Sequence, residues 1–194
     1  MKNLSIAIAA LLTVSSLAQA QTFAPQPAPL RFVAGLGVSG GGDKLAHVDY
    51  TNHTSQNINA GSGVYFTGGV DYRVSPEFSV QATANFHVDN TSASNGDIRF
   101  QRFPFELIGY FHANDKFRVG GGLRYTTGAK LSSSGVASAP DLKYDDTTSA
   151  VVEGEYFFNP RTGVKLRYVN ETFKAPGYKD TRANHFGLSG NLYF

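Results

Sequence analysis

The stretch FSVQATANFHVD, residues 78–89, sets Phe78, Val80, Ala82, Ala84, Phe86 and Val88 on one side of an extended chain and Ser79, Gln81, Thr83, Asn85, His87 and Asp89 on the other. Unbroken period-two alternation of this kind specifies a strand with one apolar and one polar face. The pattern recurs seven more times after Arg31. Phe32, Ala34, Leu36 and Val38 mark the first strand, and Val64, Phe66, Gly68, Val70 and Tyr72 the second. Phe103 to Phe111, Phe117 to Tyr125, Ala150 to Phe158, Val164 to Tyr168 and Phe186 to Phe194 supply the others. Eight alternating segments predict an all-β fold, an eight-stranded antiparallel up-and-down barrel.

The connections alternate in length. Ser75-Pro76-Glu77, His112 to Lys116 and Asn159 to Thr162 are short and carry turn-forming residues. The stretches near 41–61, 90–97, 128–147 and 173–183 are longer and rich in Gly, Ser, Asn, Thr and Asp. One end of the barrel is therefore expected to be trimmed and the other elaborated with loops. Pro104 lacks the amide that a ladder needs, so a bulge is expected there.

Which face is outside follows from volume. Eight strands enclose room for packed side chains or one small ligand, and the apolar rows hold some fifteen Phe and Tyr side chains. These overfill such an interior and must mostly point outward. The opposite rows then line the lumen, among them Asp71, Gln81, His87, Glu106, Arg118, Arg124, Glu153, Glu155, Lys165, Arg167 and Glu171. Their charges nearly balance, and buried charges must pair. Mirror pairing about the 159–162 turn sets Glu155 near Lys165 and Arg167, and pairing about 112–116 sets Glu106 near Arg124. The six residues Glu106, Arg124, Glu153, Glu155, Lys165 and Arg167 are expected to form an ion-pair network that fills the tube. An apolar exterior over a polar interior is the arrangement of a transmembrane β-barrel, whose strands need about 9–11 residues to cross.

Before the strands, MKNLSIAIAALLTVSSLAQA reads as a signal peptide cleaved after residue 20. Residues 21–30, with prolines at 25, 27 and 29, read as an extended periplasmic arm, leaving 31–194 for the barrel. The chain has no cysteine, which excludes disulfides and thiolate chemistry. A formal net charge of +2 without any run of Lys and Arg argues against nucleic acid as a partner. No cofactor or metal is called for.

The closing FGLSGNLYF resembles the C-terminal insertion signal of outer-membrane proteins, with Phe186, Leu188, Leu192 and Phe194 at every second position and Gly190 departing from the usual larger residue. RFPFELIGYF followed by KFRVGGGLRY is similar to the outer-membrane β-barrel domain family, the group of small OmpA-type and opacity-type eight-stranded barrels. The resemblance covers residues 31–194. It implies residence in the outer membrane with both termini in the periplasm, outer-membrane lipid and the barrel-assembly machinery as partners, and a monomer. The role it implies is non-enzymatic, a structural or adhesin-like surface protein acting through its outer loops.

Two further readings stand open. A lipid A-modifying enzyme would need a rim site, and the pairs His47 with Asp49 and His87 with Asp89 place an imidazole and a carboxylate on one strand face, which by phase points into the lumen near the outer rim, with the glycines at 40–42 able to shift the first pair. Ser39 or Ser55 would supply the nucleophile, or the two pairs together would hold a metal. Polar residues at a wet rim explain the same pattern without catalysis. A small-solute channel would need a continuous lumen. Gly120-Gly121-Gly122 lies within a strand and not before a helix, so it reads as relief of crowding in the lumen rather than a phosphate loop.

Overall fold

The computed structural model describes residues 29–49, 55–93, 96–135 and 141–194. The leader at 1–20 and nearly all of the 21–30 arm lie outside the described residues. Eight long strands form the wall of one closed barrel: β1 (Leu30–Gly41), β4 (Gly63–Arg73), β5 (Phe78–Ala93), β6 (Gly96–Asn114), β7 (Phe117–Gly135), β9 (Thr147–Asn159), β10 (Thr162–Asn170) and β13 (His185–Tyr193). Five short strands decorate one end. β2 (Lys44–Asp49) pairs with β3 (Ser55–Asn59), β8 (Leu142–Lys143) adds to β7, and β11 (Thr172–Phe173) pairs with β12 (Thr181–Arg182). Neighbours in sequence are neighbours in the wall, all antiparallel, and β1 closes on β13 through pairs such as Val33 with Tyr193. Phe32 and Phe194 exchange backbone hydrogen bonds of 2.7 and 3.1 Å across this seam.

At the trimmed end the turns are held by their own side chains. Asn114 accepts from the Lys116 amide at 2.9 Å, and Asn159 accepts from the Arg161 amide at 2.9 Å. Both are local turns of the kind that asparagine favours. At the other end the structure corrects the expectation of long irregular loops. β5 runs to Ala93 and β6 begins at Gly96, while β6 and β7 are 19 residues each. At about 3.3 Å per residue each is roughly 60 Å long, about twice what crossing a bilayer takes.

Pro104 interrupts its ladder, and the bulge lies beside it. On the β5 side the paired register stops at Ala84 with Phe105 and resumes at His87 with Arg102. Asn85 Nδ2 instead donates to the Pro104 carbonyl at 3.2 Å. On the β7 side the register shifts between Gln101 and Phe103, opposite Lys130 and Thr127, so the additional residue sits in β7. Gly128 there has φ of +64°, a conformation that glycine adopts without strain.

The bulge has a consequence for facing. Up to Thr126 the even-numbered residues of β7 point inward, and beyond it Ala129 and Leu131 do. In β6 no such slip occurs. Its even positions are buried from Ile98 through His112, yet their chemistry changes at Arg102.

The chain thus has two solvent regimes. Along the barrel wall, Leu36, Phe66, Leu107, Leu123, Phe186 and Leu188 face outward, with Leu123 and Phe186 each 63% exposed. Beyond residue 102 in β6 the outward residues become Asp97, Arg99 and Gln101, and the inward ones Ile98 and Phe100. These two join Ala46, Ile58, Ala60, Ala129, Leu131, Tyr144, Phe173, Ala175 and Ala183 in an apolar core built from β2, β3, β6, β7, β11 and the segments beside them. The rings of Phe100, Tyr144 and Phe173 meet in pairs at 5.7 to 5.8 Å between centroids. This cap closes the elaborated end of the tube.

Candidate functional site

Antiparallel register fixes what faces what inside the barrel. Lys165 stands opposite Glu155, Arg167 opposite Glu153, and Glu106 opposite Arg124. Each pair points into the lumen because the apolar alternate row points out. From these pairings a single chain of contacts grows along the tube. It starts at Arg31 near the trimmed end and continues through Asp71 (2.6 Å), Arg118 (2.7 Å) and Glu155 (2.7 Å). It then runs through Lys165 (3.9 Å), Glu153 (2.9 Å) and Arg167 (2.5 Å). Glu106 (2.8 Å), Arg124 (2.9 Å) and Glu171 (3.3 Å) complete it. Cations and anions alternate at every link, five of each. Every member except Arg31 is buried.

Burial of ten ionised groups is tolerable only with pairing of this density, because each costs several kcal/mol when taken from water alone. Neutral groups saturate what the pairs leave over. Tyr193 OH lies 2.8 Å from both Glu155 oxygens and accepts from Arg118 at 2.7 Å. Tyr110 OH donates to Glu153 and accepts from Lys165 at 2.7 Å. Glycine makes room for these rings. A Cβ on Gly120 would lie 2.6 Å from Tyr110, and one on Gly37 would lie 2.4 Å from Tyr65. That is the crowding expected around the Gly120 run.

All six residues expected in the lumenal network are therefore brought together. Sequence reasoning placed Asp71, Arg118 and Glu171 in the lumen without assigning partners, and it missed Arg31, which reaches inward from the start of β1. Its signal was weak, since Arg31 precedes the apolar row of its own strand. Phe186, Leu188 and Leu192 face outward on β13, as does Phe194 just beyond it, and the Phe32 and Phe194 rings stack at 6.5 Å across the seam.

The rim pairs fare differently. His87 is buried in the lumen, and Ser39 Oγ lies 2.8 Å from its Nε2. Asp89 does not orient it; its carboxylate takes the backbone amides of Asn59 and Asn90, and burial pushes its pKa up. His47 contradicts the expectation of a lumenal position. It is exposed on the β2–β3 hairpin, with Nδ1 2.6 Å from Asn57 Oδ1. The glycines at 40–42 turn the chain away from the barrel before it, Gly41 and Gly42 having φ of +137° and +79°. Asp49 pairs in backbone with Ser55, and its side chain lies outside the described residues. The His87 and Asp89 pair is thus not assembled, and no cluster of three or more metal-ligating side chains is present among the described residues.

Ser39 with His87 is a weak base pair for catalysis. Arg102 also places a guanidinium nitrogen 3.2 Å from His87 Nε2. Arginine has only donors, so Nε2 is the acceptor and its lone pair is already engaged. Ser39 Oγ meanwhile donates to the Gly61 carbonyl at 2.7 Å.

At the cap, surface charges pair loosely. Lys130 with Asp141, Lys174 with Asp180 and Arg182 with Asp43 stand 3.7 to 4.0 Å apart and are well exposed. Tyr125 donates to Asp146 at 2.7 Å and holds that carboxyl below its usual range. Burial pushes the Tyr144 phenol up.

A closed tube with a greasy wall and an ionic filling defines a transmembrane β-barrel, because hydrocarbon accepts such a wall and water does not. The outer membrane protein beta-barrel domain family matches residues 6–194, and the chain belongs to that family. It is an outer-membrane protein. Among solved structures it is similar to Ail, the attachment invasion locus protein of Yersinia pestis, solved with the heparin analogue sucrose octasulfate. That likeness has a TM-score of 0.53 and 12% identity, and covers 85% of this chain and 97% of Ail. Neisserial surface protein A (TM-score 0.48, 13% identity, 86% of this chain and 96% of that one) and OprG from Pseudomonas aeruginosa (0.46, 15%, 86% and 96%) are also matched. Among curated proteins none matches the sequence.

Proposed function

We propose that this protein is a closed, non-enzymatic outer-membrane barrel whose cap faces outside the cell and serves as a surface for interaction, in the manner of an adhesin. Both termini and the trimmed turns then face the periplasm, and the protein works as a monomer. The wall contacts outer-membrane lipid, and the barrel-assembly machinery reads the β13 row ending in Phe194. The observation that carries this reading is the cap: a folded platform with its own apolar core, held on a rigid wall, which is how recognition surfaces are commonly built. Its paired surface charges suit a polar protein partner better than a sulfated polysaccharide, although Ail was solved with an analogue of one.

The filled lumen argues against a small-solute channel, since the ten-member chain of charges and the cap lie across any path. The contact between Ser39 and His87 is the one feature favouring a lipid A-modifying enzyme, and its enclosure and occupied Nε2 count against it. Cells displaying the wild-type barrel should adhere to a host-protein surface. Cells displaying a variant with 42–62 and 173–183 replaced by short turns should not, while both barrels remain heat-modifiable in gels. Adhesion that survives removal of the cap, conductance in planar bilayers, or lipid A altered in a Ser39-dependent way would each displace the reading.

A further inference from the structure

Between the ion-pair chain and the cap lies a level of the lumen with different chemistry. Among the described residues, four buried side-chain atoms have no hydrogen-bond partner: Tyr65 OH, Arg102 Nε, Arg124 Nη2 and Glu171 Oε2. All four belong to residues of this level or its border, and three of the four are donors. Buried polar atoms are rarely left unpaired, and a cluster of them marks a place where something else binds.

Charge makes the same point independently. The alternating chain holds five cations and five anions, and it leaves out Arg102. This arginine is 1% exposed and has no carboxylate within ion-pair distance among the described residues. It donates to the Ala60 carbonyl at 2.5 Å and to His87, and its guanidinium faces the rings of Phe100 and Phe173 at 5.2 and 5.9 Å. The nearest opposing groups are Glu171 and Asp89. Glu171 is shared among Arg124 (3.3 Å), Thr126 (2.5 Å) and Ser149 (3.5 Å), and Asp89 is turned to backbone amides. His87 and His185 add no negative charge. Arg102 is therefore a buried cation with no carboxylate paired to it, and such a charge is costly.

We propose that the level enclosed by Arg102, Arg124 and Tyr65 is a binding site for one small inorganic anion, a halide or a monovalent oxyanion of similar size. The two guanidinium edges and the phenol donate to it, as such groups do in charge-assisted recognition. Ser39 and His87 line its flank. The apolar cap above excludes water and strengthens the attraction, while the balanced ion pairs below neither compete for the anion nor supply one. Glu171 and Asp89 are the carboxylates nearest the site, and they limit affinity by repulsion.

The test uses the detergent-solubilised full barrel and bromide as the probe. Crystals soaked in bromide should show an anomalous peak in contact with Arg102 Nε. The urea midpoint should rise steadily with each tenfold increase in bromide at constant ionic strength made up with a bulky anion, as expected of a ligand that binds only the folded state. Arg102→Met should abolish that rise, Tyr65→Phe should weaken it several-fold, and Glu171→Gln should shift it to lower bromide. No bromide peak, or a midpoint that is the same in bromide and the bulky anion, would overturn the proposal. So would a bromide response that persists in Arg102→Met. The crystal test on wild type stands even where a variant does not fold.

Discussion

The membrane-crossing part of β6 and its tip are one continuous strand read in opposite senses. From Phe103 to His112 the outward residues are Phe103, Phe105, Leu107, Gly109 and Phe111, and the inward ones include Glu106, Tyr110 and His112. From Asp97 to Gln101 the outward residues are polar and the inward ones are Ile98 and Phe100. The extra residue of the bulge between these halves lies in β7, and β6 keeps its own alternation throughout, so the change along β6 is in sequence and not in facing. The lower half is folded for hydrocarbon and the upper half for water. The comparison teaches that the barrel is stabilised by two different interiors, ionic below and apolar above.

Mutations should separate the two interiors, and the largest effect is expected below. Glu155→Ala strips Arg118, Lys165, Tyr193 and Asn191 of a shared acceptor and leaves the buried chain one carboxylate short, with Asp71 and Glu153 alone facing Arg118 and Lys165, which costs about 3–5 kcal/mol. Urea unfolding of the whole barrel in lipid vesicles measures it. In the cap, Phe100→Ala should cost about 3 kcal/mol or more, but locally. Protease cleavage near the elaborated end should accelerate while the barrel wall keeps its heat-modifiable mobility. If Phe100→Ala unfolds the wall as readily as the cap, the two regions are one cooperative unit and the comparison is too sharp.

A third change tests the outer face. Leu123→Arg on the lipid side should cost about 2–4 kcal/mol if it lies near the bilayer midplane, whereas an Arg at outward position 101 of the same wall should cost little. A smaller effect concerns fit. Gly37→Ala sets a methyl against Tyr65 and should cost about 1–3 kcal/mol through overpacking. At the surface, Lys174→Ala should cost under about 1 kcal/mol, its partner Asp180 being 4.0 Å away and exposed.

Much of the wall was legible because alternation over eight segments allows one phase, and volume allows one facing. The lumenal pairs followed from mirror register about short turns, so Lys165 with Glu155 and Glu106 with Arg124 needed no coordinates. The cap was not legible for a physical reason. Ile98, Phe100, Leu131, Tyr144 and Phe173 also alternate or cluster, but their sense is inverted, and a reading that assumes one surrounding solvent leaves Ile98 and Phe100 unassigned and takes the other three as loop. The bulge at Gly128 hides the signal further by shifting β7 by one residue. His47 was misplaced because the glycines before it redirect the chain, and Arg102 went unremarked because its partners are carbonyls, rings and a histidine from distant strands.

The claim on which the account rests is the facing of the wall, and the absence of cysteine makes it directly measurable. Single cysteines introduced in turn at positions 150–158, labelled with a fluorophore and reconstituted with brominated lipid, should be quenched with a period of two, strongly at the even positions and weakly at the odd ones. Strong quenching at 153 and 155 with protection at 152 and 156, or quenching without alternation, would contradict it.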